Sequence, residues 1–166
     1  MDGVMILKRL RASHAAVKAS RKVLHSWFLL SRGLTLGVRA AVIDGENRVC
    51  LIRHTYTPGW QLPGGGVEIG EDAIEALARE MREEAAVEIA GRPKLHGVFF
   101  NGHVSRRDHV LVFVVRDFVW RGPKLPDREI AECRFFALDA LPPDTTRGTR
   151  ERLREIAEGR IPAAIW

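Results

Sequence analysis

Apolar and polar positions change rhythm several times along the chain. From residue 4 to 31 there is neither Pro nor Gly. Val4, Leu7, Leu10, Val17, Leu24, Trp27 and Phe28 recur at roughly helical spacing with basic residues between them, which predicts one or two helices ending at Gly33. Thr35–Asp44 is rich in Val and Ile and alternates loosely, so it reads as a strand. Asp44-Gly45-Glu46-Asn47 is turn chemistry, and Arg48–His54 is the returning strand. Pro58-Gly59 and Pro63-Gly64-Gly65-Gly66 then mark a loop that needs backbone freedom. The period switches back to helical after Asp72. Asp72 and Glu75 have capping-box spacing, and Ile74, Leu77, Met81 and Ala85 form one apolar stripe. Leu95–Phe100, His109–Phe118 and Cys133–Leu138 read as strands. A final helix is expected over Thr149–Glu158, closed by Gly159. Strands and helices mixed in this order predict an α/β layered domain.

Composition adds little to the class but much to the charge. The chain has 166 residues, one domain's worth, and 46% of them are apolar. There are 26 Lys and Arg against 21 Asp and Glu, and the pI is near 9.8. The excess is local. Residues 1–37 hold seven basic residues against Asp2 alone, a net +6, whereas residues 38–166 hold 19 basic and 20 acidic residues, a net −1. The expected organisation is therefore a basic helical extension over residues 1–33 and a nearly neutral domain over 34–166. Cys50 and Cys133 lie in apolar runs without metal-ligand spacing and are expected as buried free thiols. No apolar run approaches the ~20 residues of a membrane span, and no signal-peptide core is visible, so the default expectation is cytoplasmic. The six His form no ligand cluster, and His14, His25, His54 and His96 read as incidental.

Candidate chemistry lies on the helix after the glycine loop. Glu80, Glu83 and Glu84 fall at i, i+3 and i+4, so their side chains share one face. Like charges at this spacing repel by a few tenths of a kcal/mol per pair. A hard divalent cation would offset the repulsion and still keep sites for a phosphate ligand. Taken alone, the run reads more readily as a solvated acidic face balanced by Arg79 and Arg82.

The longer stretch changes that balance. Gly65–Val87 runs GGVEIGEDAIEALAREMREEAAV: Gly65, five residues, Glu71, seven residues, Arg79-Glu80, Met81, one residue, Glu83-Glu84, one residue, Ala86-Val87. This resembles the signature of the Nudix hydrolases at every fixed position except Ala86, where the family has Gly. Trp60-Gln61-Leu62-Pro63-Gly64-Gly65 resembles the usual lead-in. The resemblance implies an α/β/α sandwich around a mixed β-sheet. It also implies hydrolysis of a nucleoside diphosphate linked to another group, with Mg²⁺ or Mn²⁺ as cofactor. By the same resemblance, Glu80, Glu83, Glu84 and the Gly65 carbonyl are the metal ligands, and Glu71 and Arg79 brace the loop against the helix. Glu83 is one candidate base. Glu129, in a later loop before a strand, is the other. At Ala86 either a left-handed residue costs about 1–2 kcal/mol, or the helix ends differently and Gly91 closes the segment.

Substrate evidence is mostly negative. The Pro of ADP-ribose hydrolases is missing around Asn101-Gly102-His103, and the only Tyr, Tyr56, lies upstream of the signature. A nucleoside triphosphate or small nucleotide derivative remains. Arg39 and Arg53 are candidate phosphate contacts, and Trp60 or Phe99 a candidate base-stacking ring. His103–His109 is either a lid or a hairpin tip. Three readings compete: the hydrolase, a Nudix-fold nucleotide-binding module without turnover, and an RNA 5′-end pyrophosphohydrolase. The basic segment is open to packing, homodimer contact, nucleic acid or an anionic membrane.

Overall fold

The protein is described here by a computed structural model, which covers residues 31–166 together with Leu24 and Trp27. The helices expected over 4–31 lie outside the described residues, apart from Leu24, Trp27 and Ser31, which are helical. The chain divides into two units, Met1–Leu34 and Thr35–Trp166.

The second unit contains β1 (Thr35–Val42), β2 (Arg48–His54), β3 (Trp60–Gln61), α1 (Ala73–Ala85), β4 (Val87–Ile89), β5 (Lys94–Phe100), β6 (Asp108–Val115), β7 (Phe118–Trp120), β8 (Ile130–Ala137) and α2 (Arg147–Glu158). β1, β6 and β5 form one sheet, β3, β2 and β8 a second, and β4 pairs with β7. β1 and β6 are parallel, and the other strand pairs are antiparallel.

Strand alternation builds three layers. Val38, Ala40 and Val42 of β1, Cys50 and Ile52 of β2, and Phe113 and Val115 of β6 point to one side, where they meet Leu77, Met81 and Ala85 of α1. The intervening residues Ala41, Ile43, Val49, Leu51, Val110 and Val112 point to the other side, with Leu153 of α2. Strands covered on both faces lose the clean polar alternation of a half-exposed sheet, which is why they read as near-continuous apolar runs. The result is the expected α/β/α sandwich. Cys50 and Cys133 are free, buried and neighbours across β2–β8, with sulfurs 3.4 Å apart.

Several boundaries move. The strand expected over 109–118 breaks at Arg116-Asp117, because the Asp117 carbonyl accepts from Ala90 and Gly91 and the chain changes partner from β5 to β4. The short strands β3, β4 and β7 had no signal of their own length. Ile74, expected in the buried stripe, is exposed in the first turn, and Ala76 is buried instead.

α1 is capped as its sequence requires. Asp72 accepts from Ile74 and Glu75 backbone N–H groups, and Glu75 returns the contact to the Asp72 N–H. At its other end Ala86 is the left-handed cap, with φ 53° and ψ 37°, so the helix stops there and not at Gly91.

Candidate active site

The glycine loop is threaded onto β1. Gly65 O accepts from Val38 N, Pro63 O from Ala40 N, and Leu36 O from Val67 N, at 2.8–2.9 Å. Gly64 has φ +137°, and a Cβ there would collide with the Val38 carbonyl. A Cβ on Gly65 would collide with the Glu80 carboxylate. Gly64 therefore needs glycine for its backbone, whereas a Cβ at Gly65 would displace the Glu80 carboxylate.

Arg79 ties this loop to α1. Its Nε and Nη2 donate to the two Glu71 oxygens at 2.9 and 3.0 Å, its Nη1 to Glu80 at 2.7 Å, and its Nη2 also to Gly66 O at 3.1 Å. Glu71 also accepts from Glu68 N. The Arg79 hydrogen bond holds the Glu71 carboxyl below the usual carboxylate range. Glu83 is 61% exposed at its side chain and, among the described residues, pairs only with Arg79, at 3.5 Å.

Glu84 is the anomaly. It is 7% exposed and accepts one strong bond, from Gly64 N at 2.6 Å. His54 Nε2 stands off at 3.8 Å. Burial pushes the carboxyl up to about 7, although the Gly64 N–H and the nearby Arg39 charge pull it down. Arg39 is half-buried, donates to the Leu62 and Gly64 carbonyls, and has its pKa pulled down by desolvation. Glu84 and Glu80 feel its charge.

The loop before β8 reaches the same place. Glu129 O accepts from Thr55 N at 2.9 Å, and the Glu129 charge is felt by both Glu84 and His54. Asp127 shapes that loop by accepting from Glu129 N, Ile130 N and Lys124, which together hold its carboxyl well below the usual range. Glu71, Arg79, Glu80, Glu83, Glu84, Gly65, Arg39 and Glu129 thus share one region.

Three of the substrate-contact expectations do not fit this region. Arg53 points to the opposite face of β2 from His54, pairs with Glu132 at 3.3 Å and Asp144 at 2.9 Å, and lies over the Trp60 ring. Trp60 is a core residue, with Phe136 edge-on to its ring. Phe99 is fully buried between His96, Trp166 and Arg152. Neither ring has a face open to a base, because both complete the core on the α2 side. The exposed ring near the carboxylates is Tyr56, 69% exposed and stacked on His54 at 5.0 Å. His54, expected as incidental, stands on the same side as Glu84. The alternation Cys50, Ile52, His54 puts it on the α1 side, a signal present in the sequence. Residues 101–108 form a hairpin tip pinned by Asn101 to Asp108, Val104 and Ser105.

Among the described residues, no three His, Cys, Asp or Glu side chains are already gathered around one point as metal ligands. Arg79 holds Glu80 and the Gly64 N–H holds Glu84. The donor set still fits a hard divalent cation. It is all oxygen, and its buried member, Glu84, lacks a full positive partner. Soft metals have no reason to bind here.

Comparison with known proteins agrees with this geometry. The model of the NUDIX domain matches residues 33–156. An ADP-ribose pyrophosphatase of Methanocaldococcus jannaschii is 34% identical over 104 residues, 61% of each chain. An RNA pyrophosphohydrolase of Halorhodospira halophila is 40% identical over 57 residues, 34% of this chain and 32% of that one. The chain thus spans less than two thirds of the length of these curated relatives. The crystal structure of a MutT NUDIX hydrolase from Burkholderia pseudomallei superposes with a TM-score of 0.64 at 27% identity, covering 74% of this chain and 97% of that one.

Proposed function

The chain belongs to the Nudix family, and on that premise we propose that it is a divalent-metal-dependent pyrophosphohydrolase. Its substrate would be a nucleoside triphosphate or a small nucleoside diphosphate derivative. The observation that carries this reading is the placement of Glu80, Glu83 and Glu84 on one face of α1 against a loop that requires glycine at Gly64.

Glu80, Glu83, Glu84 and the Gly65 carbonyl would hold Mg²⁺ or Mn²⁺, which would neutralise phosphate oxygens and polarise the scissile bond. The chain's own residues do the rest. Arg79 and Glu71 fix the loop, so the ligand carboxylates need not reorganise. Water attacks phosphorus, the phosphoanhydride P–O bond breaks, and Glu83 or Glu129 takes the water proton. Residues 34–166 form the hydrolase domain in this proposal and residues 1–33 a basic extension, with the chain acting in the cytoplasm. Among the described residues, no helix is long and apolar enough to cross a membrane.

A second reading, action on RNA 5′ ends, is favoured by the net +6 of residues 1–37 and by the similarity to RNA pyrophosphohydrolases. One panel separates the readings: nucleoside triphosphates, ADP-ribose, sugar nucleotides and 5′-triphosphorylated RNA, each with Mg²⁺ or Mn²⁺, turned over by wild type and by Glu83→Gln. Turnover lost in the variant supports the proposal. No turnover of any member, or equal turnover by both proteins, overturns it.

A further inference from the structure

The other side of the sandwich holds a cavity of about 490 Å³ between β5, β6 and the C-terminal turn of α2. It lies at the far end of the sheet from the glycine loop. The loop bonds to β1 at Leu36–Ala40, whereas the cavity is lined by Val114, Arg116 and Asp117 just where β6 ends. Helix α1 and its carboxylates pack on the opposite face.

Three cations converge on it. Arg92 and Lys94 lead into β5, and Arg116 follows β6. Lys94 stands opposite Val114 on β6, two residues before Arg116. Among the described residues, none of the three makes an ion pair or a side-chain hydrogen bond. A fourth cation, Arg160, pairs with Glu158 at 2.8 Å.

Two carboxylates also reach the cavity, and among the described residues neither forms an ion pair with the three. Glu155 is fully engaged by His96, Arg152 and the Ala163 N–H. Asp117 lies against Gly91, where a Cβ would fall 2.5 Å from its Oδ2. The remaining wall is apolar, with Val114 and Ile156. Guanidinium forks and an ammonium over an apolar wall, in a volume typical of small-ligand sites, suit phosphate oxygens on an organic body.

We propose that this cavity binds a nucleotide-sized phosphorylated molecule, with its phosphates on Arg92, Lys94 and Arg116 and its body against Val114 and Ile156. Binding here needs no divalent cation, which separates it from the carboxylate site.

The test is calorimetric titration of the full chain with ADP in the presence of EDTA, for three proteins. Wild type should bind. Arg92→Ser/Arg116→Ser should bind about tenfold more weakly or worse, since two charge-assisted contacts are gone. Arg121→Ser/Arg154→Ser, which removes the same charge elsewhere on the surface, should keep wild-type affinity. Absence of binding by wild type, or equal weakening of both double variants, would overturn the proposal. Failure of hydrolysis in the substrate panel leaves this result standing, because no turnover or metal enters it.

Discussion

Glu84 on the α1 side and Glu155 on the α2 side are buried almost equally, at 7% and 6% exposure. Their chemistry is opposite. Glu155 is pushed up by burial, but His96, the Ala163 N–H and Arg152 outweigh this and hold it below the usual carboxylate range. Glu84 has one N–H donor and rises to about 7. Surface exposure alone therefore does not decide what a buried acid does; how deeply protein surrounds the carboxyl and how many donors meet it do. The fully bonded glutamate fastens α2 and the C-terminal segment to the sheet. The under-bonded one faces the glycine loop beside two more carboxylates, and an incompletely satisfied charge is what a cation site needs.

Substitutions that keep shape but remove charge should split this pair. Glu84→Gln is expected to lower turnover by several kcal/mol of barrier, about 100-fold or more, with little loss in urea stability. Steady-state kinetics and denaturation on one preparation check both halves. A variant that unfolds would show Glu84 to be structural like Glu155. Glu155→Gln should do the reverse. Leaving Arg152 buried without its carboxylate is expected to lower stability by about 3 kcal/mol, measured by urea unfolding, while the rate of folded enzyme stays near wild type.

The pH dependence gives a finer test. The folded-state pKa of Glu155 lies below its ordinary value of 4.5, so its stabilisation is complete above that value and is lost as pH falls through the lower folded one. Urea midpoints between pH 6 and pH 3 should fall in wild type and fall less steeply in Glu155→Gln. Equal slopes would remove Glu155 from the account.

The smallest effect concerns how the two helices end. Both close on a left-handed residue, α2 on Gly159 and α1 on Ala86. Ala86→Gly should raise stability by about 1 kcal/mol, the relief of a Cβ in that region less the flexibility gained by the unfolded chain. Thermal unfolding would show it. No gain would mean that the Ala86 methyl is supported by contacts that offset its strain.

These elements were unequally legible in the sequence. α1, its Asp72 cap and the acidic face were readable because each depends on spacing within a few residues. β1 and β2 were readable from β-branched runs. β4 and β7 were not, since three residues such as Val87–Ile89 become a strand only through Phe118–Trp120. Trp60 and Phe99 misled for a related reason: an aromatic residue has the same signature whether its ring meets a ligand or Leu153. Glu129 could be named as a candidate but not placed, because the contact that brings it over, Thr55 N to Glu129 O, joins residues 74 positions apart.

The parallel pairing of β1 with β6 has a kinetic consequence. Thr35 must find Asp108, 73 residues later, before β1 has its neighbour. The glycine loop hangs on β1, so the carboxylate face cannot be ordered ahead of that distant contact. Pairings of such high contact order are reached slowly, after a long loop has closed. A nascent chain that has not yet released residue 115 from the ribosome would carry every residue of the signature and still lack the strand that orders it. Recovery of activity after dilution from urea should follow the slowest tertiary phase and not the formation of helix α1.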